Sequence, residues 1–322
     1  MNIRLLGPIG IAVILAGLVG CKRGSSSNKD ATQSPSPTPV VQATRPIEGK
    51  SEPIAFPELG PSRLIQPGIQ FREATLRRGS VPMRIWYYQP EKVSGKMALV
   101  LIPPAGSTLF VGMGLAEGDR AEHYPYAKAG FAVASFEIDG HVPNLESSPD
   151  AIVLNGARQF RDAQAGIANA KVTLDFILAK VPEIDPSRIH IAGHSSAATL
   201  ALLAASQEPR ITACAAYAPA TDVDARLAPA IPALDRAIPG YREFLHFSSP
   251  KTHVAELKCP VFLFHAEDDS TIAISQTRQF AALLKKTNPN VTLVTTPKGG
   301  HYESMISEGI PKGIEWLRQI KK

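Results

Sequence analysis

The sequence predicts an α/β fold, a mostly parallel central sheet of about eight strands flanked by helices, with a short cap segment. Three observations lead there. Strand-like and helix-like stretches alternate from Met97 onward, an order that needs right-handed crossovers. The runs Met97 to Ile102 and Val261 to Phe264 are apolar without interruption, as strands covered on both faces must be. Between them, Arg188 to Ala205 passes from an apolar run through Gly193-His194-Ser195-Ser196-Ala197 into an alanine-rich run, which reads as strand, sharp turn and helix.

Taken in order, residues 1–23 read as a targeting segment. Arg4 supplies a positive start, Ile9 to Val19 an apolar core, and Leu18-Val19-Gly20-Cys21 an ending that resembles a bacterial lipobox with Cys21 as the lipidated residue. The expected location is the bacterial cell envelope, in the periplasm or at the cell surface, anchored by lipid. Residues 24–53 are rich in Ser, Pro, Thr, Lys and Gln and form an expected tether, since they carry too little apolar surface to fold. The domain is expected over residues 54–322.

Phe71 to Leu76 and Val81 to Tyr88, separated by Arg78-Gly79-Ser80, alternate as an antiparallel hairpin and belong at the sheet edge. The apolar strand from Met97 ends in Pro103-Pro104-Ala105-Gly106-Ser107, where Ala105 and Gly106 are the first residues able to donate an N–H. A helix is expected near Arg120 to Gly130, then a strand from Phe131 to Phe136 and the loop Asp139-Gly140-His141. His141 is assigned no role in the chemistry. One helix is predicted over 157–181, closed by Pro182, and Asp185-Pro186-Ser187-Arg188 is expected to turn the chain into the strand before Ser195. Ile211 to Tyr217 and Val291 to Val294 read as further strands, residues 223–256 as short helices over the site, and Ile314 to Leu317 as part of a final helix.

At 322 residues with 44% hydrophobic content the chain can bury a large core. A formal charge of +5 with scattered Lys and Arg gives no nucleic-acid surface. No Cys/His grouping has metal-ligand spacing, so neither a metal nor an organic cofactor is expected. Beyond Cys21 only Cys214 and Cys259 remain, each in or just before a predicted strand, and free thiols are expected rather than a disulfide.

The chemistry gathers at three places. Ser195 stands between small residues at the tip of a strand-to-helix turn, where its hydroxyl is exposed and the helix N-terminus offers free N–H groups to an oxyanion. A serine hydroxyl needs a base and a group to orient that base. His301 follows the last predicted strand after Gly299-Gly300 and is the expected base; Asp269, Asp268 and Asp222 are the candidate acids, with Asp269 preferred. The chain order Ser, Asp, His is then the order of α/β-hydrolases.

Asp185-Pro186-Ser187-Arg188-Ile189, Gly193-His194-Ser195-Ser196-Ala197, His265-Ala266-Glu267-Asp268-Asp269 and Gly299-Gly300-His301 together resemble the α/β-hydrolase superfamily, in its prolyl-oligopeptidase-like and dienelactone-hydrolase-like branches, over about residues 69–320. Ala197, Ala266 and Pro103-Pro104 depart from the family pattern. The resemblance implies an α/β-hydrolase fold, with Ser195 as nucleophile, His301 as base, Asp269 as acid and the Ser196 and Ala105 N–H groups as oxyanion donors. It implies a small-molecule ester or, less favoured, a peptide as substrate. A non-catalytic envelope binding protein that keeps the fold is the competing expectation.

Overall fold

The computed structural model of this chain describes residues 56–320. The targeting segment with Cys21 and the tether over 24–53 lie outside the described residues. Nine strands form one sheet: β1 (Arg63–Gln66), β2 (Ile69–Arg78), β3 (Val81–Pro90), β4 (Met97–Leu101), β5 (Ala132–Phe136), β6 (Ile184–His194), β7 (Ala213–Tyr217), β8 (Val261–Ala266) and β9 (Val291–Thr296). Their spatial order is β1-β2-β3-β5-β4-β6-β7-β8-β9. The six strands from β5 to β9 in this order run parallel, and β1, β2 and β3 add an antiparallel edge.

This is the α/β-hydrolase fold, with one strand more than the sequence suggests. The added strand is β1, whose Arg63 and Leu64 are exposed and whose place depends on backbone pairing with β2. A short edge strand of this kind carries no apolar alternation to betray it.

The helices are α1 (Arg120–Lys128), α2 (Asp150–Asp162), α3 (Ile167–Lys180), α4 (Ser196–Gln207), α5 (Val223–Leu227), α6 (Ile231–Ala237), α7 (Tyr241–Phe247), α8 (Ile274–Leu284) and α9 (Ile310–Gln319). The single helix predicted over 157–181 is in fact the end of α2 and all of α3. Gln164, Ala165 and Gly166 at the break all have positive φ. The break brings the backbone against the core: a Cβ on Gly166 would lie 2.7 Å from Leu200 Cδ2. The turn expected at Asp185 to Arg188 is absorbed into β6, which begins at Ile184 and slips register against β4 between Met97 and Leu99.

Alternation along the central strands divides the core. Leu99, Leu101, Ile189, Ile191, Cys214 and Ala216 face α3, α4 and the cap helices α5, α6 and α7, while Ala98, Val100, His190, Ala192 and Ala215 face the side of α1 and α9. Cys214 is buried, Cys259 is half-buried, and both are free. Burial pushes the Cys259 thiol up to about 12 and also raises Cys214 well above the ordinary thiol range, so neither is a ready nucleophile. The strand ends at His194, Ala266 and Thr296 lie side by side, because β6, β7, β8 and β9 are successive neighbours. That edge receives the residues of interest.

Candidate active site

Ser195 occupies the turn between β6 and α4 with φ 57° and ψ −120°, a conformation that non-glycine residues rarely adopt. The turn closes because Gly193 has no Cβ: one placed there would lie 2.5 Å from the Ala197 carbonyl carbon and oxygen. The Ser195 N–H donates to the Tyr217 carbonyl at 2.9 Å, fastening the turn to β7. Ser196 begins α4, and its Oγ accepts the Ser107 N–H at 3.0 Å, which ties the loop after β4 to the helix start. Neither the Ser196 nor the Ala105 N–H has a protein acceptor among the described residues.

His301 lies beyond β9, and its Nδ1–H donates to Asp269 Oδ2 at 2.7 Å. Its Nε2 therefore carries the lone pair. That nitrogen is buried and has no hydrogen-bond partner, so the Ser195 to His301 hydrogen bond is not formed in this structure. A serine hydroxyl turns about one bond, and contacts of this kind commonly tighten when substrate is bound. His194, the residue before Ser195, does contact His301. The His194 Nε2–H donates to the His301 carbonyl at 2.9 Å, and the two rings stand 4.5 Å apart.

The three candidate acids have three different jobs. Asp269 binds the imidazole. Asp268 accepts the Gly299 N–H at 3.2 Å and the Gly300 N–H at 2.8 Å, fixing the bend before His301. Asp222 caps α5 through the Ala225 N–H and pairs with Lys251 at 2.7 Å. His141 sits against Gly114, and Asp139 pairs with Arg78 and Asn169, so the loop after β5 is held by its own contacts.

Asp269 is fully buried as a side chain, and every lone pair is used. Oδ1 accepts the Thr271 and Ile272 N–H groups at 2.7 and 3.0 Å; Oδ2 accepts His301 Nδ1–H and His265 Nε2–H, the latter at 2.9 Å. Burial opposes the charge, but the hydrogen bonds from His265, His301 and Ile272 outweigh it and hold the carboxyl well below the usual carboxylate range. His265 Nε2 faces two acceptors, Asp269 and the Ile272 carbonyl, so it carries the hydrogen and Thr277 Oγ1 donates to Nδ1 at 2.7 Å. The result is a buried chain Thr277, His265, Asp269, His301.

Sequence reasoning used His265 only as a motif marker and missed its hydrogen bond to the acid, although the four-residue spacing was visible. It also missed Glu122, whose Oε1 stands 3.7 Å from His194 Nδ1; nothing in the local sequence links α1 to the turn. A hollow of about 350 Å³ lies at the opposite end of the strands, between Lys96, Arg188, His190 and Arg318, away from all these groups. Among the described residues no group of three or more His, Cys, Asp or Glu is arranged to hold a metal ion.

The prolyl oligopeptidase family matches residues 120–321. No curated protein matches the chain. Among solved structures, a cold-adapted esterase from an Arctic intertidal metagenomic library is 17% identical, with a TM-score of 0.59 over 83% of this chain and 100% of the other. Acetyl xylan esterase from Paenibacillus sp. R4 is likewise 17% identical, with a TM-score of 0.59 over 80% of this chain and 88% of that one. An acylaminoacyl peptidase from Pyrococcus horikoshii is 16% identical, with a TM-score of 0.59 over 78% of this chain but 40% of the other. At these identities the likeness is one of fold.

Proposed function

The chain belongs to the prolyl oligopeptidase family of α/β-hydrolases, and on that premise we propose that it is a serine hydrolase that cleaves a carboxylic ester through an acyl-enzyme. The observation that carries this reading is the His301–Asp269 hydrogen bond at 2.7 Å, which leaves a buried, unpartnered Nε2 beside a strained serine turn. In the reaction Ser195 Oγ attacks the ester carbonyl and passes its proton to His301 Nε2. The Ser196 and Ala105 N–H groups receive the developing oxyanion. His301 then gives the proton to the departing alkoxide, and a water activated by the same nitrogen hydrolyses the acyl-serine. Asp269 stays ionised throughout, holding the imidazole in the tautomer with Nε2 free.

An ester is favoured over an amide because the likeness to named esterases spans most of both chains, whereas the likeness to the peptidase spans 40% of that longer chain. The family match keeps a peptidase of prolyl-oligopeptidase type as the second reading. The test compares kcat/KM for short-chain p-nitrophenyl esters with that for N-acylated peptide p-nitroanilides. Ester turnover with little or no anilide turnover is expected; the reverse order makes the protein a peptidase. A folded protein inert to both, and unlabelled by a fluorophosphonate, is a binding protein that retains the fold.

Cys21 and the tether support a second, separate proposal, that the domain is lipid-anchored in the bacterial envelope. Mass spectrometry of the mature protein should show Cys21 as the first residue, carrying lipid. A mature protein that begins elsewhere overturns it.

A further inference from the structure

The cap helices carry several charges, and their partners differ. Asp222 pairs with Lys251 and Asp224 with His246, at 2.7 and 2.9 Å. Arg226, on α5, has no carboxylate partner among the described residues, and its guanidinium donates to a single protein acceptor, the Thr271 carbonyl at 3.2 Å. Arg236 and Arg242, elsewhere on the cap, are exposed and need none. Arg226 is half-buried.

That placement puts a cation at the acid's own loop. Thr271 sends its N–H to Asp269 Oδ1 and receives Arg226 on its carbonyl, so one peptide unit separates the guanidinium from the acid that orients His301. Arg226 cannot satisfy itself on Asp269, because both carboxylate oxygens already hold two N–H donors each. The acid's charge reaches it only through space.

Its electrostatics differ from those of the arginines that hold a carboxylate. Arg84, Arg120 and Arg210 each hold a carboxylate, which raises their pKa. For Arg226 burial works first and lowers it, with Asp269 pulling the other way. A partly desolvated charge without a counter-ion is costly and is retained where something else supplies the partner. A guanidinium keeps donors on two edges, so a hydrogen bond to Thr271 leaves others for a second, planar acceptor.

We propose that Arg226 is a substrate-binding residue that receives a carboxylate carried by the ester, so that the preferred substrates are anionic esters. The proposal rests on the hydrolase reading above and adds the charge of the substrate to it. The carboxylate takes no part in bond making; it docks on the cap while Ser195 attacks the ester carbonyl.

The test uses two matched pairs of probes, so that the charge sits on either side of the scissile bond. p-Nitrophenyl hydrogen adipate is compared with its methyl ester, and 4-acetoxybenzoate with methyl 4-acetoxybenzoate. In at least one pair the wild type should favour the charged member in kcat/KM by about 10- to 100-fold, the range of a charge-assisted hydrogen bond. Arg226→Gln should erase that ratio, mainly through KM, and Arg226→Lys should keep part of it. A wild type without preference in either pair overturns the proposal. So does an equal loss on both members in Arg226→Gln, which would make Arg226 an anchor of the acid loop. Fluorophosphonate labelling of Ser195 is read in parallel; failure of labelling counts against the hydrolase reading itself, whereas labelling without charge preference counts against Arg226 alone.

Discussion

Ser195→Ala is expected to lower ester turnover by about a thousandfold to a millionfold, the range seen when a hydrolase nucleophile is removed. The single fluorophosphonate adduct found on the wild type by mass spectrometry should vanish with it. The fold should barely notice. The Ser195 hydroxyl makes no hydrogen bond to His301, and the turn is fastened by the Ser195 N–H on Tyr217 and by the missing Cβ of Gly193, none of which alanine changes. The change in unfolding free energy should therefore stay within about 0.5 kcal/mol. Persistent turnover, or an adduct on another residue in a well-folded variant, would move the nucleophile elsewhere.

Asp269→Asn is expected to lower kcat by about 10⁴-fold, and unlike Ser195→Ala it should also destabilise the protein. Oδ1 and Oδ2 each accept two N–H groups. Whichever way an asparagine amide is turned, its NH₂ faces a pair of donors. It either confronts His265 and His301 or breaks the turn at Thr271 and Ile272. Each unsatisfied buried donor costs about 1 to 3 kcal/mol. Denaturant unfolding beside kinetics would show both losses, and a variant with intact activity would rule out Asp269 as the orienting acid.

The sign of the pH effect follows from the same contacts. Asp269 is held below its ordinary carboxylate range, so its contribution to stability is present above that range and is lost only as pH falls through and beneath it. A decline of kcat/KM on the acid side nearer neutrality is therefore not expected to come from Asp269, which is still ionised there.

The order of the chemistry was legible in the sequence because each group follows the end of a strand. An apolar run ending at Gly193-His194-Ser195 can only present Ser195 at a strand terminus, and the same holds for Asp269 after Val261 to His265 and for His301 after Val291 to Val294. The periodicity was less informative where structure depends on close approach. Residues 157–181 carry a continuous helical face, yet the chain breaks at Gln164 to Gly166, where three successive residues have positive φ and the backbone runs so close to Leu200 and Ile138 that a Cβ on Gly166 would crowd both. Strand β1 was not legible because its four residues, two of them exposed, are too few to show an apolar alternation.

By itself, then, the sequence determined the α/β architecture, the strand-end placement of Ser195, Asp269 and His301, and the preference for Asp269 by its spacing from His265. Tertiary structure alone decided the division of labour between Asp268 and Asp269, the second histidine on the acid, the contact of His194 with Glu122 and the His301 loop, and the lone cation Arg226 above Thr271. The physical reason is that strand order converts residues more than a hundred positions apart, such as His194 and His301, into neighbours. Local pattern reports which face a residue takes, but only the lateral packing of β6 to β9 and the cap sets what stands opposite it.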